Sequence, residues 1–159
     1  MTKPTPLKRH PALQHLSHDH HQGLLLCWKI RQGFKFGIEP PRMKVYCEWF
    51  WENYLNAHFE EEEKVIFPVL SEEDPLIKQA ISEHKRLRKL FASWEDPGKT
   101  LGQIEEELEQ HIRFEERLLF PVIQETASAE QLDTIAKYGS GEKFVENDLD
   151  PFWVKKNGK

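Results

Sequence analysis

The chain has 159 residues, with 22 Lys+Arg against 27 Asp+Glu, a formal charge of −5 with histidine neutral. That length predicts one domain able to bury a core, and the acidic balance excludes nucleic acid as a default partner, because phosphate binding needs a basic surface. Two cysteines, Cys27 and Cys47, are too few for a disulfide framework and fit a reducing, cytoplasmic setting.

Residues 1–9 are basic and proline-containing with no apolar stretch behind them, and no apolar run approaches the roughly 20 residues of a membrane span, so neither a leader nor a membrane partner is expected. The first helix is predicted over 12–33, with Ser17 as an alternative start. Leu13, Leu16, His20, Leu24, Cys27 and Ile30 form its inward seam. A loop closed by Pro40-Pro41 leads to a second helix over 41–67, with the seam Cys47, Trp51, Tyr54, His58, Glu62, Val65 and Val69. Asp74-Pro75 starts a third over 75–95, whose seam is Ile77, Ala80, His84, Leu87, Phe91 and Trp94. After the turn Asp96-Pro97-Gly98, Thr100 and Gln103 have capping-box spacing for a fourth helix over 101–121. Its seam is Ile104, Leu108, His111, Glu115, Leu118 and Val122. Strand alternation is absent, so the fold class is all-α, and short connections predict an up-down-up-down antiparallel four-helix bundle over 10–123. Residues 128–137 read as a short fifth helix, and 138–159 as an irregular tail that Phe144, Phe152 and Trp153 pin to the bundle.

Every seam carries a histidine, and two carry a glutamate four residues later. Residues i and i+4 share a helical face, so His58/Glu62 and His111/Glu115 aim imidazole and carboxylate at the core together. An uncompensated buried carboxylate costs several kcal/mol, against roughly 1.5–3 kcal/mol gained by burying a leucine there. A divalent cation offsets that cost directly. Counted along antiparallel helices, His20, His58, Glu62, His84, His111 and Glu115 all fall roughly 5–15 Å from one end of the bundle, at about 1.5 Å per residue.

An internal repeat supports the same grouping. Residues 58–70 align without gaps on 111–123, sharing His, Glu, Glu, Phe, Pro and Val, and Asp19-His20 matches Glu83-His84 more weakly. Two helical hairpins, each supplying two histidines and one glutamate, predict a pseudo-two-fold pair of metal ions bridged by Glu62 and Glu115.

These segments resemble the hemerythrin-like, HHE cation-binding domains over about residues 10–123. The resemblance implies a non-haem di-iron centre with His20 and His58 on one iron, His84 and His111 on the other, and both glutamates bridging. Oxygen-carrying members have a second helix-3 histidine one turn away, where this chain has Ala80 or Arg88. One iron therefore lacks a ligand that the carriers have, which argues against reversible oxygen transport and leaves space for water or an exogenous ligand.

His21, on the adjacent stripe above Leu25 and Trp28, is a rival to His20 as ligand. His10, His15 and His18 read as surface or helix-start residues, and Glu60, Glu61 and Glu63 as a solvated acidic face from which Glu61 has a chance of reaching the metal. Tyr54, Trp28, Trp51, Cys27 and Cys47 read as core. Imidazole with bridging carboxylate suits iron, with Mn or Zn as substitutes. The expected function is binding or sensing of a small ligand (O2, NO) or redox state, or iron buffering. A di-iron enzyme turning over O2, peroxide or NO is the first alternative. The second is a structural metal bundle acting on a protein partner, whose identity nothing in the sequence gives.

Overall fold

A computed structural model of the chain describes residues 8–139 and 144–155. Most of the basic segment 1–9 and parts of the expected tail lie outside the described residues. Among the described residues the regular structure is entirely helical. A 3₁₀ turn, Pro11–Leu13, opens α1, Gln14–Lys35. A continuous helical run over 40–69 forms α2, followed by α3, Pro75–Ala92, a second long run over 97–126 as α4, and α5, Ala129–Tyr138.

Local chemistry explains the helix starts. Asp74 accepts from the Leu76 N–H at 2.9 Å with Pro75 at the first helical position, where its missing N–H costs nothing. Ser128 and Gln131 form a reciprocal capping box. α4 begins at Pro97, earlier than the Thr100/Gln103 spacing suggested. Asp96, held left-handed at φ 43°, caps Lys99, and Thr100 bonds the Glu95 carbonyl. α1 likewise begins ahead of Ser17, whose hydroxyl donates to Glu116. α3 stops at Ala92, leaving Trp94 43% exposed rather than on the seam.

The expected seams slip by one residue at three wide turns closed by i→i+5 hydrogen bonds, Trp51–Leu55, Glu62–Ile66 and Glu115–Leu119. Each wide turn takes one extra residue, which rotates everything downstream. Leu55 is buried where Tyr54 was expected, Ile66 and Phe67 where Val65 and Val69 were, and Leu119, Phe120 and Ile123 where Leu118 and Val122 were. Leu118 is 56% exposed. Two of these turns end two residues before Pro68 and Pro121. A proline ring clashes with the carbonyl four residues back, here Lys64 and Arg117, so the helix opens there. On α1, Gly23 and Leu26 point inward while Leu24 is half-buried, and a Cβ at Gly23 would meet Ile112 Cδ1 at 2.7 Å, so this glycine permits the close approach of α1 to α4.

α4 lies against α1, α2 and α3. Two apolar clusters divide the interior: one contains Leu26, Cys27, Met43, Cys47, Leu87 and Leu108, the other Leu13, Leu16, Phe67, Ala80, Leu119 and Ile123. On each of α1, α3 and α4 the inward polar residues fall between a member of one cluster and a member of the other. The core is therefore two dry layers around one polar layer. Phe144, Phe152 and Trp153 pack on the first cluster. There Lys29, nearly fully buried, donates to Tyr46 and Glu146 with its ammonium 4.3 Å from the Trp153 ring, fixing the chain after residue 143.

Candidate metal centre

His20, His58, Glu62, His84, His111 and Glu115 converge in that polar layer, each 4% exposed or less. Their ligand-type atoms form two groups, His20, His58, Glu62, Glu115 and Glu62, His84, His111, Glu115, within each of which the atoms lie within 4.8 Å of one another. Both glutamates belong to both groups. Glu62 Oε1 lies 3.3 Å from His58 Nε2 and 3.1 Å from His84 Nε2, while its Oε2 is 3.9 Å from His20 Nε2. Glu115 Oε1 is 2.9 Å from His20 Nε2, and its Oε2 is 3.3 Å from His111 Nε2 and 3.8 Å from His84 Nε2.

The opposite ring nitrogen of every histidine meets a carboxylate. Nδ1 of His20 pairs with Glu116 at 2.6 Å, of His58 with Asp19 at 3.1 Å, of His84 with Glu63 at 2.6 Å and of His111 with Glu83 at 2.6 Å. A carboxylate accepting from Nδ1–H fixes the tautomer with Nε2 bare and strengthens that nitrogen as a donor to metal. The pattern obeys the internal repeat. The residue before His20 or His84 serves the other histidine of the same hairpin, and the residue after Glu62 or Glu115 serves the other hairpin. Phe67 and Phe120, equivalent in the repeat, lie against His84 and His20 at 5.3 and 5.2 Å. Arg88 and Arg9 in turn hold Glu63 and Glu116.

The electrostatics without a cation are unbalanced. Burial lowers the imidazole pKa values, but the surrounding carboxylates outweigh it. His84 is pushed up to about 10 by Glu115, Glu62 and Glu63, His111 to about 9 by Glu115 and Glu83, and His20 and His58 are also raised. Burial raises Glu115, yet His111, His20 and His84 together hold it well below the usual carboxylate range. Three buried atoms of the cluster have no hydrogen-bond partner: Glu62 Oε2, Glu115 Oε2 and His111 Nε2. Such orphans are costly in a protein interior, and here all three are atoms that a metal ion would use. The donor set of imidazole nitrogen and carboxylate oxygen fits a first-row divalent cation.

The remaining expected residues sort themselves by geometry. His21 and His18 are exposed and belong to neither group. His10 Nδ1 accepts from the Ala12 N–H, capping the 3₁₀ turn. Glu61 is buried but bonds His15 Nε2 at 2.5 Å and does not join the ligand groups, which corrects both its place on a solvated face and its reach toward the metal. Glu63 leaves that solvated face as well, because His84 and Arg88 hold it. Trp28 is 42% exposed, since the neighbouring Lys29 takes the inward stripe, whereas Trp51 and Tyr54 are half-buried. Cys27 and Cys47 are buried thiols, each pushed up to about 12 by burial. The carboxylate partners Asp19, Glu83 and Glu116 were visible only as shared letters of the repeat, Asp-His, Glu-His and Glu-Glu, with no seam position to mark them.

The sequence profile of the hemerythrin HHE cation-binding domain matches residues 38–122. The chain belongs to this family. Its membership implies cation binding, and the two buried His/Glu groups supply the donors for it. Among curated proteins and among solved structures, nothing matches the chain. Within this HHE domain the matched segment includes five of the six converging residues; His20 lies before it and is joined to the others by the fold.

Proposed function

We propose that the chain is a non-haem di-iron protein that binds or senses a small ligand such as O2 or NO. His20 and His58 would hold one iron, His84 and His111 the other, and Glu62 and Glu115 would be shared between them. The observation that carries this reading is the sharing of both glutamates between two four-donor groups whose unpaired buried atoms are ligand atoms. The helices are read as an up-down-up-down four-helix bundle over 10–123, with 124–159 as an appended segment, because that arrangement brings the ends of α2 and α4 beside the starts of α1 and α3.

Iron at such a site supplies reversible binding of small ligands and one-electron redox chemistry. This chain's own residues would provide two imidazoles and two shared carboxylates per ion, a donor count that would leave room on iron for an exogenous ligand. Asp19, Glu63, Glu83 and Glu116 keep the four Nε2 atoms bare, and the apolar layers on both sides keep bulk water out. Ala80, buried and without a donor atom, stands near His84 in the second layer, so the second half gains no further histidine. That matched count of two histidines per half favours sensing or buffering over oxygen carriage.

The test is anaerobic loading with Fe(II), followed by the optical spectrum before and after O2 and azide. An oxo-bridged ferric band that shifts with azide supports the reading. Loaded protein with no such band overturns it. Repeated consumption of O2, peroxide or NO by the loaded protein would replace sensing with catalysis.

A further inference from the structure

The two halves of the candidate centre each border a surface cleft, and the clefts differ in charge. One, of about 170 Å³, opens beside Asp19 and His58. The other, of about 210 Å³, opens beside Glu83 and His111. The repeat relates them position by position: Asp19 to Glu83, Gln22 to Arg86, Tyr54 to Glu107, Ala57 to Gln110 and His58 to His111. The first cleft carries three carboxylates, Asp19, Glu60 and Glu61, and no lysine or arginine among the described residues that line it. Its remaining walls are mainly apolar, with Phe50, Leu55 and Phe144. In the second, Arg86 stands where the first has Gln22, and it is paired with Glu107 at 2.9 and 3.2 Å.

We propose that metal ions load through the Asp19/His58 cleft. This rests on the dimetal reading above and assigns the route to one of its two halves. A cleft lined by one sign of charge with low-dielectric walls focuses field and raises local counter-ion concentration and on-rate by roughly 10–10³. An aqua cation meets the exposed Asp19 and Glu60, with the buried Glu61 beside them held by His15, and then His58, which is 4% exposed. Beyond His58, in the same donor group, lies Glu62 Oε2, a buried oxygen without a hydrogen-bond partner, 3.9 Å from His20 Nε2. The equivalent approach past His111 has Glu83 beside the Arg86–Glu107 pair, so its lining carries less net negative charge and attracts the same ion less.

The experiment follows Co(II) uptake by metal-free protein in stopped flow, with total bound cobalt measured after prolonged incubation. Ala57 and Gln110 are both exposed and occupy equivalent rims, so Ala57→Trp and Gln110→Trp are matched plugs. Ala57→Trp is expected to slow uptake at least about tenfold with unchanged final content, whereas Gln110→Trp leaves the rate at the wild-type value. Glu60→Gln, which removes charge without adding bulk, slows uptake about threefold at low salt and loses its effect at high salt. Equal slowing by both plugs, or by neither, with two cobalt ions bound at the end, overturns the route and leaves the centre standing. Wild-type protein that binds no cobalt overturns both.

Discussion

His20 and His58 face each other through their Nε2 atoms at 3.1 Å while Glu116 and Asp19 hold their Nδ1 atoms. With Nδ1–H donated to a carboxylate on each ring, both facing nitrogens carry lone pairs. Two lone pairs in contact repel unless a proton or a metal ion lies between them, and the raised pKa of each imidazole is the protonic solution. Metal and proton therefore compete for the same nitrogens.

That competition fixes a pH dependence. In the metal-free protein His84 and His111 have pKa values of about 10 and about 9, above the ordinary 6.5 of an unfolded chain. Groups raised on folding contribute stability that is complete below about 6.5 and is lost as pH rises through 9 to 10. Metal binding needs neutral imidazoles and strengthens over the same range. The gap in melting temperature between metal-loaded and metal-free protein should widen from pH 6 to pH 9, with protons released on loading. Thermal melts at both pH values, and calorimetry in two buffers of different ionisation enthalpy, check this.

At a free metal concentration one hundred times Kd, loading stabilises the folded state by about 2.7 kcal/mol. For a chain of this length that raises Tm by roughly 5–10 °C. Chelation should reverse the gain without unfolding the protein, because the apolar clusters on both sides of the site remain. Differential scanning fluorimetry with and without chelator reads both effects.

The outer carboxylates act through the histidines they hold. Glu63→Gln and Glu116→Gln keep shape but remove the anionic acceptor from His84 and His20. Each should weaken metal affinity about 10–100-fold. Glu60→Gln, which bonds no histidine, should leave equilibrium affinity unchanged. Competition titration against a chromophoric chelator separates the three.

The C-terminal segment is predicted to support stability without touching the metal. Trp153→Ala removes the ring that covers the Lys29 ammonium and packs on Tyr46 at 5.0 Å. A loss of about 1–3 kcal/mol is expected in urea unfolding, with bound metal per chain unchanged.

The six converging residues were legible in the sequence because the i, i+4 pairs His58/Glu62 and His111/Glu115 each span regular helix, Asn56–Glu61 and Pro97–Phe114, up to the first residue of the wide turn that follows. Downstream of Glu62 and Glu115 the same reasoning failed. An i→i+5 turn leaves no compositional mark beyond the following proline, so Val65 and Leu118 were placed inward in place of Ile66 and Leu119. The carboxylates on Nδ1 come from neighbouring helices and sit at the edge of the seams, where a glutamate such as Glu63 looks like any solvated residue. His15 and Glu61 were missed as a pair for the same reason: their contact crosses from α1 to α2, and no spacing within one helix encodes it.

The central claim is that two metal ions sit between the hairpins and share Glu62 and Glu115. Anomalous diffraction from metal-loaded crystals tests it most directly. The account predicts two peaks inside the polar layer, one against His20 and His58 and one against His84 and His111, each in contact with both glutamates. A single peak, or peaks that leave Glu62 or Glu115 without a metal contact, would contradict it.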